Sequence, residues 1–156
     1  MILPHPPDGV IHRARHLYAV RVYYEDTDLS GIVYHANYLR WFERARSDLL
    51  RRLGIDQRAA IEAGAKGHDG GAYAVSELGL RYLRPARLDD DVLIETRCTA
   101  LGGASCRMAQ RASRDGETLV EATLRIGFVA LNGRPRRQPA PWRAAFKAFM
   151  EETVSP

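Results

Sequence analysis

Cysteine is scarce: Cys98 and Cys106 are the only two in 156 residues. Two thiols cannot form the framework of a small disulfide scaffold, and a reducing compartment suits them. No stretch is long and apolar enough to cross a bilayer as a helix. The opening Met1–Gly9 carries Pro4, Pro6 and Pro7 and no apolar core, unlike a secretory leader, so a cytoplasmic location is expected. The five histidines show no HExxH spacing and the cysteines stand apart, so neither a metal nor a cofactor is expected. Glycine-rich phosphate loops are missing, as is the Gly-x-Ser-x-Gly elbow of serine hydrolases. No RNA-recognition signature accompanies the positive charge, and no nucleic-acid partner is expected.

What is present fits one soluble domain. Hydrophobic residues make up 46% and charged residues 27% of the chain, enough to bury a core at this length. The net charge of +4 suits RNA, an anionic membrane or a phosphorylated ligand, without choosing among them. Residues 1–15 read as a flexible arm, 16–150 as the domain and 151–156 as a tail.

Alternation and β-branched or aromatic types predict a first strand over His16–Tyr24. The polar cluster Glu25–Gly31 reads as a loop. From Ala36 to Leu53, Tyr38, Trp41, Phe42, Ala45, Leu49 and Leu53 recur at helical spacing and form one apolar face. Gly54 stands at the glycine C-cap position, with Arg51 and Arg52 in the last turn. A short helix, Gln57–Ala63, follows. Four strands are then predicted: Ala72–Arg84, Asp91–Leu101, Ser105–Arg114 and Thr118–Leu131, with Val92, Ile94, Thr96 and Cys98 on one face of the second. Asp115-Gly116 suits a hairpin turn. After the basic stretch Arg134–Arg137, Trp142–Met150 reads as a terminal helix. One long apolar helix with one antiparallel sheet gives a two-layer α+β domain. The sheet edges need covering, which a second subunit would do.

The segment Val22–Arg46 can support chemistry. The first N–H groups of a helix lack intrahelical acceptors and carry partial positive charge, so they can polarise a carbonyl oxygen. The loop just before the helix offers carboxylates at Glu25, Asp26 and Asp28, and Gly31 permits close approach of backbone to a ligand.

The pattern Tyr24-x-Asp26-Thr27-Asp28-x-x-Gly31-x-Val33-Tyr34-His35-x-Asn37-Tyr38 resembles the 4-hydroxybenzoyl-CoA thioesterase family, most closely its YbgC-like branch, whose members are linked with the Tol-Pal cell-envelope system. Tyr82–Pro85 and Asp89–Asp91 resemble the family's second half, and the likeness spans roughly residues 17–145. It implies a hotdog fold, a long central helix wrapped by a curved antiparallel sheet. It also implies dimers, often paired into homotetramers, with active sites between subunits. Thioester hydrolysis would use Asp28 as nucleophile or general base, the His35 backbone N–H to polarise the carbonyl, the His35 ring as an aid, and Tyr24 as partner of Asp28. Gly31, Val33, Arg84 and Arg87 are the substrate-contact candidates, and Arg81 and Arg107 are further candidates for the phosphates of coenzyme A. Acyl carrier protein is the alternative carrier of the acyl group.

Two other functions share this scaffold. A binding module for an acyl carrier or envelope protein would use the basic charge and Arg134–Arg137. A dehydratase would use His35 with an acid, though the spacing fits hydrolysis better. Asp26 and Glu25 read as structural or solvated, and Tyr38, Trp41 and Phe42 as core or subunit interface.

Overall fold

The computed structural model describes residues 1–152. The tail expected at 151–156 lies, from residue 153 onward, outside the described residues.

Among the described residues nine strands and α-helices follow one another: β1 (Val10–His12), β2 (Arg15–Arg21), α1 (Asn37–Arg52), α2 (Gln57–Ala65), β3 (Ala72–Tyr82), β4 (Asp91–Leu101), β5 (Ser105–Arg114), β6 (Glu117–Val129) and α3 (Ala140–Met150). The strands form one antiparallel sheet in the order β1-β2-β4-β5-β6-β3. The expected α+β architecture is present: the long helix α1 lies against β2 and β4, and the sheet bends behind it. Register breaks at Val75/Glu77, Cys98/Ala100 and Ala112/Ser113 supply that bending, since a bulged strand kinks and twists more strongly.

Helix α1 is held by its apolar stripe. Tyr38, Trp41, Phe42 and Ala45 are buried in one cluster with Val92, Ile94 and Ala122 of the sheet, and Leu49 is buried in a second with Met108 and Leu124. A buried polar contact fixes its height on the sheet. Gln110 of β5 donates from Nε2 to the Phe42 carbonyl (3.0 Å) and to Thr96 Oγ1 (2.9 Å), and its Oε1 accepts from Arg46 (2.7 Å). Each buried polar atom of this group thus finds a partner, which avoids an unmade-bond cost of about 1–3 kcal/mol. The helix ends in a full Schellman motif. Gly54, at φ +77°, donates to the Arg51 carbonyl (3.0 Å), and Ile55 donates to Leu50 (2.9 Å) while packing beside it.

Helix and strand ends fall within two residues of the sequence expectation except at two places. The first strand stops at Arg21 rather than Tyr24, because the chain turns into a 3-10 turn at Tyr24–Asp26. The Asp26 carboxylate closes that turn by accepting the Tyr23 N–H at 2.8 Å. Residues 10–12, assigned to the arm, form β1. Arg13 and Ala14 make the hairpin turn with φ of +52° and +57°, a left-handed pair usually given to Asn-Gly.

Candidate active site

The loop between β2 and α1 is built around Asp26. Its side chain is 9% exposed and accepts from Tyr23 N and from Asn37 Nδ2 (2.6 Å), while its carbonyl accepts the Tyr34 N–H (2.8 Å). One residue therefore ties the end of β2 to the first residue of α1. Val33, also buried, donates its N–H to the Ala86 carbonyl at 2.9 Å. Short bridges pair Thr27 with Val33 and Ile32 with Arg87. The loop is thus pinned at both flanks.

Asp28 stands on the exposed crest of this loop. Its Oδ1 accepts the Ser30 N–H at 2.8 Å, an Asx turn, and also the Ser30 hydroxyl. The Ser30 hydroxyl and amide hold the Asp28 carboxyl below the ordinary aspartate range, and the nearby His35 adds a smaller pull the same way. Oδ1 is occupied; among the described residues no donor takes Oδ2. Gly31, at φ +79°, closes the turn by donating to the Asp28 carbonyl. A side chain there would meet no neighbour, so conformation and not space calls for glycine.

The opening of α1 is irregular. Asn37 donates to the Tyr34 carbonyl (2.8 Å) and Leu39 to Ala36 (3.1 Å). Among the described residues, no protein acceptor takes the N–H groups of His35 and Ala36. No side chain caps the helix, and Ala36 itself is in the helical region (φ −73°, ψ −15°). The His35 carbonyl accepts the Tyr82 hydroxyl at 2.8 Å. The exposed His35 ring lies 4.5 Å from the Tyr34 ring and 6.4 Å, edge to face, from Tyr82.

The structure brings Asp28, Gly31, Val33 and His35 onto one short loop. Tyr24 makes no side-chain hydrogen bond among the described residues, and so none to Asp28. It is 83% exposed, and its carbonyl accepts from Thr27 Oγ1 (2.8 Å). Of the arginine candidates, Arg84 is ion-paired with Glu117 (2.5 Å), Arg81 with Glu121 (3.7 Å) and Arg107 with Glu77 (3.3 Å). Arg87 is exposed, in no ion pair among the described residues, and paired through its backbone with Ile32 beside the loop. Arg136 of the basic stretch is tied down by Asp69 and the Gly70 carbonyl, both at 2.7 Å.

Sequence reasoning misses two participants. Ser30 was legible, since a serine two residues after aspartate is a common turn partner. Tyr82 was not, because nothing in the text links it to a carbonyl 47 positions earlier. The principal clefts of the single chain, against α3 and beneath the arm, are lined by neither Asp28 nor His35.

Residues 30–121 match the family model described as the thioesterase superfamily, a span that holds Gly31, Val33 and His35 and begins just after Asp28. The chain is 39% identical over 130 residues to an acyl-CoA thioesterase, YbgC, of Haemophilus influenzae, covering 83% of this chain and 92% of that protein. A probable thioesterase from Bartonella henselae is 38% identical with a TM-score of 0.73, covering 80% of this chain and 99% of that one. A 4-hydroxybenzoyl-CoA thioesterase crystallised with 4-hydroxybenzoyl-CoA shares the fold at 20% identity and a TM-score of 0.75, over 85% of this chain and 98% of that one.

Proposed function

The chain belongs to the thioesterase superfamily, and on that premise we propose that it hydrolyses acyl-CoA thioesters with Asp28 and the His35 and Ala36 amides that lead into α1. The observation that carries this reading is a juxtaposition: among the described residues, a carboxylate with one free oxygen and, in the same pinned loop, two N–H groups that no protein acceptor takes.

Aspartate is ionised at neutral pH without help, and here Ser30 holds it further that way. With Oδ1 engaged by Ser30, Oδ2 is the oxygen that reacts. It attacks the thioester carbon to give a mixed anhydride and coenzyme A thiolate, or takes a proton from a water that attacks in its place. The carbonyl oxygen gains negative charge in either route, and the His35 and Ala36 N–H groups receive it. In the first route water then cleaves the anhydride to release the acid and restore Asp28, and ¹⁸O from labelled water found in Asp28 after turnover identifies that route with cleavage at the Asp28 carbonyl.

The principal clefts of the described residues leave Asp28 outside, so the acyl group needs further walls there. A second copy, docked along β3, supplies them in this proposal. Arg87 is the side chain best placed to meet the phosphates of coenzyme A, or of the equivalent arm on acyl carrier protein. No helix of the described residues is long and apolar enough to cross a membrane. A cytoplasmic location accords with acyl-CoA as substrate and with two free thiols.

The test is thiol release from short, long and aromatic acyl-CoAs by wild type and Asp28→Asn. Asp28 is exposed, so the variant folds with an unchanged melting temperature. Its kcat falls by about 10²–10⁴-fold. Full activity in Asp28→Asn overturns the assignment.

A further inference from the structure

In a regular α-helix the Leu39 N–H would return four residues, to the His35 carbonyl. It goes instead to Ala36, at 3.1 Å. The His35 carbonyl is left without a helical donor, and the Tyr82 hydroxyl, from the end of β3, takes it at 2.8 Å. The peptide that follows His35 is planar and trans, like every other described one, so its C=O and the Ala36 N–H point in opposite directions from one rigid plate. Holding the oxygen from the β3 side aims the N–H away from it.

Tyr82 is itself held. Its ring lies edge-on to Tyr38 at 5.9 Å, and Tyr38 is buried and fixed by the Ala86 N–H to its hydroxyl (3.2 Å). We propose that Tyr82 is a positioning residue for thioester hydrolysis, anchoring the His35 carbonyl so that the Ala36 N–H is already aimed at the thioester oxygen when charge develops there. The inference rests on the proposed site, in which these amides form the oxyanion hole. Such donors accelerate a reaction only when their direction is set beforehand, because turning them during the reaction costs part of what they supply. A phenol is a neutral donor throughout the neutral range, and partial burial of Tyr82 pushes its pKa further up.

The contrasting role for an aromatic side chain here is lining the acyl pocket, and Tyr82→Phe separates the two because it removes only the hydroxyl. Positioning predicts that kcat falls by about tenfold, KM stays within about twofold and the melting temperature holds. Isotope-edited infrared spectra of a ¹³C=O acyl-CoA give a direct readout. Its carbonyl stretch, lowered on binding to Asp28→Asn, is lowered less on binding to Asp28→Asn/Tyr82→Phe. A wild-type kcat in Tyr82→Phe, a change confined to KM, or an identical carbonyl frequency overturns the proposal. If Asp28→Asn alone retains full activity, the site itself is wrong. If Asp28→Asn is inactive and Tyr82→Phe is unimpaired, only the role of Tyr82 falls.

Discussion

His16 and Asp48 form a buried pair that joins β2 to α1. The imidazole Nε2 lies 2.6 Å from Asp48 Oδ2, and His16 has no exposed surface at all. The same carboxylate oxygen accepts the Gly9 N–H at 2.9 Å, and as an acceptor it pairs with the imidazole in the tautomer that carries its hydrogen on Nε2. Asp48 thereby holds strand, helix and the base of the N-terminal arm together. Gly9 is required there: a Cβ would fall 2.4 Å from the His16 ring and 2.5 Å from the carboxylate.

Asp48→Ala leaves the His16 N–H and the Gly9 N–H buried without an acceptor. Destabilisation of about 3 kcal/mol is expected, read as a lower urea midpoint at constant slope. Thioester hydrolysis at a temperature where the variant is folded should be little changed, because Asp28 lies at the opposite end of α1.

The other ring nitrogen of His16, Nδ1, has no partner among the described residues. Protonating it would bury an unpaired N–H, and burial pushes the His16 pKa below its ordinary value despite the opposing pull of Asp48; Arg52 adds a small push downward. The unfolded chain therefore takes up this proton first. Stability is at its full value above the unfolded histidine pKa, about 6.5, and declines as pH falls below it until the folded pKa is reached. Urea midpoints between pH 8 and 5 should slope accordingly in wild type. His16→Gln, which still donates to Asp48 and cannot titrate, should flatten that slope.

Ser30 is predicted to set the acid side of the pH–rate profile. Asp28 must be ionised to act, and the Ser30 hydroxyl is the largest influence keeping its pKa low. The acid limb of kcat/KM should thus lie below the ordinary aspartate pKa in wild type. In Ser30→Ala the backbone N–H remains and the hydroxyl is gone, so the limb moves to higher pH while the rate at pH 7 changes little. Rapid pH-jump assays from a neutral stock outrun acid unfolding and read the limb directly. An unmoved limb would separate Asp28 from the titration.

Much of this was legible in the text. The stripe Tyr38–Trp41–Phe42–Ala45–Leu49 and the Gly54 cap fixed α1 to within a residue at each end, because periodicity and cap chemistry are local signals. The strands β3 to β6 were legible for the same reason. The Arg13–Ala14 hairpin was not, since its left-handed turn has none of the residues that favour it and is imposed by pairing with β2. Tyr23–Tyr24 read as strand by propensity, yet the Asp26 side chain diverts the backbone there. The loop carboxylate and the helix start stood side by side in the sequence. Tyr82 joined them only when the sheet brought its far edge to His35.

That far edge carries the last prediction. The two edges of the sheet are unequal: β1 has three residues and β3 has eleven. A short edge is harmless, whereas a long one with free backbone groups is a template for another strand. Val75, Leu78 and Tyr82 of β3, and Leu83 just past its end, leave apolar surface exposed, each more than two-fifths accessible. Val75, Leu78 and Tyr82 stand opposite the buried Ile126, Leu124 and Val120 of β6, so they extend the core-facing side of the sheet beyond the single chain. A second copy paired along β3 would cover them and bring its own loop towards Tyr82. Val75→Lys/Leu78→Lys is therefore expected to give a folded monomer by sedimentation, since neither position is buried within the chain. Thioester hydrolysis should fall at least tenfold although Asp28, Ser30 and His35 are untouched. A monomer with wild-type activity would show that one chain suffices for the chemistry.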